Sequence, residues 1–384
     1  MIYVDNAATT KISDSAFRAM NECFTFGYGN PSSIHTLGRT AKKALERSRE
    51  SIARLIGANP DEVYFTSGGT ESANWAINAA VLNGANSGKR HIVSSRFEHK
   101  AVLNTLNKIV KQGFEITLLD VHSDGLVRPD ELEVAIRDDT ALVTIMYVNN
   151  EIGTIQPISE LSSVCRQRAV IFHTDAAQAA GHICIDVQKD SIDMLSISAH
   201  KFHGPKGIGV LYCRKGVQLP SMIEGGAQEN GLRGGTENVP GVVGMAAAIE
   251  ESYANFEEDN ELTASMSERL IDGLLEIPRS RLNGNREKRL SSIMNFSFED
   301  VEGEHVLNML DQVGIYASSG SACTAGFMAP SHVLLALGMD RTNAHEALRI
   351  SLCRYNTTKD IETIIDVLPP IVERLRHLSP LQKR

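Results

Sequence analysis

Basic residues are in deficit in this chain of 384 residues, where 38 lysines and arginines face 47 aspartates and glutamates for a formal net charge of -9. A surface of that sign is not drawn to nucleic acid or to an anionic membrane. The expected ligand is a small molecule or another protein. Long hydrophobic runs are missing too: no stretch is long enough to span a bilayer, and the opening "MIYVDNAATT" lacks the basic start and apolar stretch of a secretory signal. A cytoplasmic location is the expectation. Cysteine is sparse, and Cys23, Cys165, Cys184, Cys213, Cys323 and Cys353 lie far apart with no C-x-x-C pair, so neither a disulfide framework nor a zinc site is suggested. Any cysteine with special chemistry must act alone. His200 and His203 have the spacing H-x-x-H, but on a strand-to-turn segment without a third ligand, and no metal site is expected. The sequence also contains no internal repeat and no low-complexity segment.

What is present is a composition 42% hydrophobic, enough at this length for a sizeable core and roughly two or three domains. From Glu62 to Cys213, the runs "EVYFT", "HIVSS", "EITLL", "ALVTIMYV", "AVIFHTD", "DMLSISA" and "GIGVLYC" alternate with helix-sized segments. Runs apolar on both faces predict a mainly parallel sheet covered by helices, with ligands at the carboxyl ends of the strands. Two intervening segments read as amphipathic helices. "KAVLNTLNKIVKQG" ends in Gly113, a good cap, and "TLGRTAKKALERSRESIARLIG" lines up Leu37, Ala41, Leu45, Ile52 and Leu55. After the acidic helical stretch "GMAAAIEESYANFEEDNELTAS" a second β/α pattern follows, with "SSIMNFSFED", "HVLNML" and "ASSGSACTAG", so a boundary is expected between Asn255 and Asn260.

In "SISAHKFHGPKG", Lys201 stands where an apolar strand meets a Gly-Pro turn. A lone lysine there is ordinarily a surface residue. Pyridoxal phosphate enzymes, however, hold their cofactor on such an amine, and three further needs of that cofactor are met nearby. "FHTDAAQAAG" ends a strand on Asp175, a carboxylate for the pyridine nitrogen, with Gln178 on the next turn; a helix cap is the commoner use of such an aspartate. "VYFTSGGTESANWAINAA" reads as strand, glycine turn and helix, so Gly69 and Thr70 offer a phosphate cradle at a helix start. "SSRFEHKAVLNTL" places His99 after a strand, where a flat imidazole could stack on a ring and move protons, or simply be structural.

Together these segments resemble the class V aminotransferase group of fold type I pyridoxal phosphate enzymes, and within it the cysteine desulfurases of the NifS and IscS kind. The resemblance covers nearly the whole chain through "VDNAATT", "GNPSSIH", "FTSGGTES", Glu98-His99, "VNNEIGTIQP", "HTDAAQAAG", "SAHKFHGPKGIG", "GGAQENGLRGGTENVP" and "SSGSACTAG". It implies an α/β fold with a large domain, residues 15–257, built on a mainly parallel seven-stranded sheet between helices. A smaller α/β domain would comprise residues 1–14 and 258–384. It further implies pyridoxal 5'-phosphate as cofactor, with Lys201 as the Schiff-base lysine, Asp175 at the pyridine nitrogen, Gln178 near the ring hydroxyl and His99 stacked on the ring. Gly69, Thr70, Ser198 and His200 would hold the phosphate, and Asn150 would lie beside ring and substrate. Thr236 of "RGGTEN" would reach the phosphate of a neighbouring subunit, which implies a homodimer.

"YASSGSACTAGFMAP" embeds Cys323 among small residues, a poor core and a good loop for an exposed thiolate. A small buried hydrophobe is the alternative. The resemblance makes Cys323 the catalytic thiol that takes sulfur from L-cysteine as a persulfide, leaving alanine, and makes Arg349 of "HEALRISLCRYNT" the guanidinium that binds the substrate carboxylate. Sulfur would pass to a protein acceptor such as an iron-sulfur scaffold or a tRNA-thiolation protein. In the family pattern glycine usually precedes the second arginine of this motif. Here that position is Cys353, expected to be packed, and the short tail "LSPLQKR" puts scaffold docking in question. "SSGSAC" resembles the subgroup with a long catalytic loop. A selenocysteine lyase, an aminotransferase of the same fold and a non-catalytic sulfur or cofactor carrier are the competing readings. The joint presence of Lys201, Asp175, His99, Cys323 and Arg349 speaks against the carrier.

Overall fold

The helix Asp14–Phe26 (α1) begins where Ser13 accepts a hydrogen bond from the Ala16 amide, pairing one of the donors that a helix start leaves open. Thr36–Leu55 (α2) buries Ala41, Leu45 and Ile52 along one stripe, as their spacing predicts. Leu37, assigned to the same stripe by spacing, is instead exposed in the first turn, where the glycine beside it, Gly38, is the buried residue. The computed structural model describes residues 1–319 and 330–378, so Cys323 lies outside the described residues.

The strand β1 (Ile2–Tyr3) lies outside the central sheet. The central sheet is formed by β2 (Val63–Thr66), β3 (His91–Ser95), β4 (Glu115–Leu119), β5 (Thr140–Thr144), β6 (Ile171–Asp175), β7 (Met194–Ser198) and β8 (Gly209–Cys213), in the order β2-β8-β7-β6-β5-β3-β4. β8 runs antiparallel to both β2 and β7, and the remaining pairs are parallel. Two reversals restore direction, so β2 points the same way as β7. The carboxyl ends of β2, β3, β5, β6 and β7 therefore meet at one edge, where ligands gather in sheets of this kind.

β3, β5, β7 and β8 are buried over their whole length. Alternation along them divides two apolar layers: Ile92, Leu142, Met194 and Leu211 pack on the helix Gly69–Asn86 (α3), while Val93, Val143, Leu195 and Val210 face Leu45, Ile52, Met245 and Ile249. Each fully buried aliphatic side chain of this set stabilises the fold by roughly 1.5–3 kcal/mol. The run "ALVTIMYV" is strand only as far as Thr144. Ile145 and Tyr147 still donate to the carbonyls of His173 and Asp175, but the chain leaves the ladder and takes Met146, Val148 and Asn150 to the sheet edge.

The helix Lys100–Val110 (α4) stops short of Gly113, which closes the following turn at a φ of +86° that glycine adopts without strain. A separate antiparallel sheet has the order β12-β10-β9, from β9 (Ser280–Leu282), β10 (Ile293–Phe298) and β12 (Ala347–Ser351), and β11 (Ile315–Tyr316) pairs in parallel with β1. Val4, Leu270, Phe296, Ile350 and Ile364 share one apolar cluster there, which ties the chain's start to its last third. Helices Val239–Ala254 and Phe256–Leu275 are divided at Asn255. Among the described residues no helix is long and apolar enough to cross a membrane.

Candidate active site

A cavity of about 550 Å³ opens at the carboxyl edge of the central sheet. β2 delivers the glycine turn to it. Gly68 has a φ of +153°, which disfavours side chains, and a Cβ added at Gly69 would meet the Ser198 Cβ at 3.3 Å. No side chain caps α3, so its first amides and its dipole favour an anion beside Gly69, Thr70, Ser198 and His200. Glu71 accepts from the Ser67 amide at 2.9 Å and pairs with Arg233, which offsets a negative charge near that position.

β3 leads to His99, the N-cap of α4, whose Nδ1 accepts from the Ala101 amide at 3.1 Å. That bond places the proton of the neutral ring on Nε2. Burial lowers the pKa of His99 below the usual imidazole range, and it raises that of Asp175, at the end of β6, above the usual carboxylate range although His99 opposes the rise. A carboxyl so enclosed fits a cationic partner. Asp175 Oδ1 accepts from the Ala177 amide at 3.0 Å, which fixes its orientation. Gln178 donates to the carbonyl of Ala7 at 2.8 Å. Lys201, in the turn after β7, donates from Nζ to the carbonyls of Ala7 and Ala8 at 2.7 and 2.9 Å.

Arg349 comes from β12 and is 3% exposed. Its guanidinium donates to Asp5 at 2.7 Å and to the carbonyl of Asn150 at 2.9 Å, while its Nε is buried without a partner. An unpaired buried donor at the rim of a cavity suits an incoming carboxylate. Ser318, just upstream of Cys323, exchanges backbone hydrogen bonds with Arg349. On the downstream side, Ser331 donates to Glu151 at 2.5 Å and His332 Nε2 to the carbonyl of Glu98 at 2.9 Å. Both described ends of the segment that carries Cys323 are therefore attached beside the cavity.

Of the residues singled out in the sequence, Gly69, Thr70, His99, Asn150, Asp175, Gln178, Ser198, His200, Lys201 and Arg349 line this one cavity. Thr236 does not; it lies exposed on a separate loop. Cys353 is buried outside the cavity wall, where burial raises the pKa of its thiol. Sequence reasoning assigned no role to Asp5, Glu98 or Glu151, nor to Arg49 and Glu229, which pair in the interior at 2.8 Å and hold the loop that leads to Thr236. The available signal was the acidic residue beside each candidate, as in Glu98-His99 and Asn150-Glu151. Among the described residues no cluster of histidine, cysteine and carboxylate side chains could hold a metal ion.

The Aminotransferase class-V family model matches residues 2–364. A cysteine desulfurase IscS of Methanosarcina thermophila is 50% identical over 380 residues, spanning 99% of this chain and 94% of that protein. A cysteine desulfurase of a Nostoc species is 48% identical, spanning 100% of this chain and 95% of that protein. Among solved structures, a NifS-like protein superposes with a TM-score of 0.91 at 38% identity, covering 97% of this chain and all (100%) of the other. A structure described as SspA in complex with cysteine has a TM-score of 0.83 at 38% identity, covering 93% and 100%.

Proposed function

This chain belongs to the class-V aminotransferase family, and from that premise we propose that it is a pyridoxal phosphate-dependent cysteine desulfurase, converting L-cysteine to L-alanine with transfer of the sulfur to Cys323. The observation that carries this reading is the convergence of Lys201, Asp175, His99, the open start of α3 and Arg349 on one cavity. Pyridoxal 5'-phosphate, when bound, supplies an electron sink for the bond-breaking at the substrate α-carbon.

The residues divide the remaining work. The amides of Gly69 and Thr70, with Ser198 and His200, would hold the phosphate; Asp175 would pair with the ring nitrogen, Gln178 would serve the ring hydroxyl and His99 would face the ring. Arg349 and Asn150 orient the substrate, the guanidinium fork taking its carboxylate. Lys201 Nζ removes the α-proton, and His99, neutral with its proton on Nε2, serves proton transfer along the path. The thiolate of Cys323 attacks the substrate sulfur. A new S–S bond forms on Cys323 as the carbon–sulfur bond breaks, the electron pair left on the β-carbon takes up a proton, and Lys201 returns a proton to the α-carbon to give alanine.

The persulfide then passes to a protein acceptor, an iron-sulfur scaffold or a tRNA-thiolation protein, in the cytoplasm. Residues 15–257 form the cofactor-binding domain and residues 1–14 with 258–384 the smaller one, a division supported by the separate apolar cluster around Phe296. A homodimer is supported by the exposed side chains of Phe17, Phe24, Phe26, Tyr28 and Ile34, an apolar surface suited to a second copy, and by Thr236, which stands exposed outside its own chain's cavity. The decisive experiment incubates the enzyme with L-cysteine and a thiol reductant and quantifies both products. Equal alanine and sulfide from the parent, and neither from Cys323→Ala, is the expected result; equal turnover by both proteins overturns the assignment.

A further inference from the structure

We infer that the carbonyls of Ala7 and Ala8 are the resting site of the Lys201 amine whenever it is not bonded to the cofactor, and that Thr10 is the positioning residue that keeps this site in register with the lysine turn. The inference rests on Lys201 being the cofactor lysine and assigns a task to the amino-terminal segment.

The amine side of the argument is geometric. Lys201 Nζ lies 2.7 Å from the Ala7 carbonyl and 2.9 Å from that of Ala8. After it takes a proton from substrate, the amine is an ammonium with three donors, which must find acceptors. Two carbonyls meet most of that need. Gln178 donates to the same Ala7 carbonyl at 2.8 Å, so both of its lone pairs are engaged and its direction is set.

The backbone side is a lacing of one segment around one turn. The amide and hydroxyl of Thr10 both donate to the carbonyl of His200, at 2.9 and 3.0 Å, and the same hydroxyl accepts from the amide of His203 at 2.8 Å. Thr10 thus grips the chain on either side of Lys201. His203 holds a φ of +68°, a left-handed conformation uncommon outside glycine, and the contacts of this segment support it. His203 Nδ1 donates to the carbonyl of Lys11 at 2.9 Å, and the Ser13 amide donates to the carbonyl of His203 at 2.9 Å. At its other end the segment is pinned to β12, where Asn6 donates to the Ser351 carbonyl at 2.8 Å and the Ala7 amide to Ser351 Oγ at 2.9 Å. The carbonyls of Ala7 and Ala8 cannot drift, and the lysine side chain moves between two fixed points.

The test compares full-length holoenzyme as parent, as Thr10→Val, which keeps the shape and removes the hydroxyl, and as Thr10→Ser, which keeps the hydroxyl. Each is treated with hydroxylamine to free Lys201 and then with a limiting amount of acetic anhydride, and the acetylation of Lys201 relative to Lys206 is read by mass spectrometry. Thr10→Val is expected to show about threefold or greater labelling of Lys201, because its amine leaves the carbonyls more often, and Thr10→Ser to match the parent. Equal labelling in all three proteins overturns the inference. Should Thr10→Val fail to fold, hydrogen exchange of the parent and Lys201→Met decides: loss of the ammonium must speed exchange across residues 7–13, and unchanged exchange overturns it. Borohydride reduction of the parent holoenzyme tests the underlying reading separately, since cofactor fixed on a residue other than Lys201 sinks that reading whatever the labelling shows.

Discussion

Asp5, outside the cavity lining, bonds the Arg349 guanidinium at 2.7 Å, which leaves the arginine's fork aimed by a carboxylate before any substrate arrives. Arg349→Lys keeps a positive charge but cannot bond Asp5, Asn150 and a carboxylate together. Losing one charge-assisted hydrogen bond costs about 1.5–3 kcal/mol, so the KM for cysteine is expected to rise roughly 10- to 100-fold with a smaller change in kcat. A KM within twofold of the parent's, about the scatter of such measurements, contradicts this role.

His99 caps α4 through Nδ1, and the proton transfer proposed for it falls to Nε2, so the two can be separated. His99→Ala loses both, with a stability loss of about 1 kcal/mol, whereas His99→Asn restores a cap and no proton transfer. The expected pattern is a recovered melting temperature in the asparagine variant and slow single-turnover alanine formation in both. Normal rates in either variant exclude the proton-transfer role.

Glu98 is fully buried, and desolvation pushes its carboxyl up to about 8 although Ser95 and the Met146 amide donate to Oε1; Oε2 has no partner. Because the folded pKa is raised, the folded state binds the extra proton, and this contribution to stability is present below about pH 4.5 and is lost as pH rises through about 8. Glu98→Gln removes the titration and keeps an acceptor for both donors. Its stability relative to the parent should therefore improve between pH 6 and pH 9 by on the order of 2 kcal/mol. Thermal unfolding across that range checks it, and a constant difference refutes it.

The acid limb has the opposite sign. Burial pushes His173 down to about 3 and His200 and His203 down to about 4, so the unfolded chain binds protons that the folded chain refuses. Their contribution is complete above about pH 6.5 and is lost as pH falls toward 4. Denaturant titrations of the parent should show stability declining from pH 6.5 to pH 4.5. The His173→Gln variant should show a shallower decline, and an equal slope argues against the buried neutral imidazole.

Glu229 shares a bidentate pair with Arg49 at 2.8 and 2.9 Å and also accepts from the Phe65 amide at 2.9 Å. Removing one partner strands the other charge in the interior. Glu229→Ala should cost about 3–5 kcal/mol by chemical denaturation, while the double variant with Arg49→Met should recover much of that loss. A single variant as stable as the parent contradicts the burial of this pair.

Much of this molecule was legible without coordinates. Seven apolar runs separated by helix-sized segments specify a covered parallel sheet because strands buried on both faces leave no polar alternation, and a glycine turn before a helix marks an anion site because the helix start has amides to spare. Lys201, Asp175 and His99 could be nominated because each follows a strand, and strand ends of a parallel sheet face one way. Periodicity could not say that Leu37 would be exposed, since spacing assigns a residue to a face and not what lies against that face. Nor could it say that the run through Val148 would leave the sheet at Thr144, because an apolar residue fits a cavity wall as well as a ladder.

The sequence by itself determined the layers and singled out Lys201, Asp175 and His99 as candidates, because these depend on local pattern and on residue type, while the cofactor and the task of the lysine follow from the family resemblance. Tertiary structure alone decided which distant groups share a proton or a bond: Asp5 with Arg349, Thr10 with His200 and His203, Arg49 with Glu229, and the Lys201 amine with the Ala7 and Ala8 carbonyls. Hydrogen bonds act over about 3 Å and depend on angle. Only the folded path of the chain brings residues from its two ends within that reach.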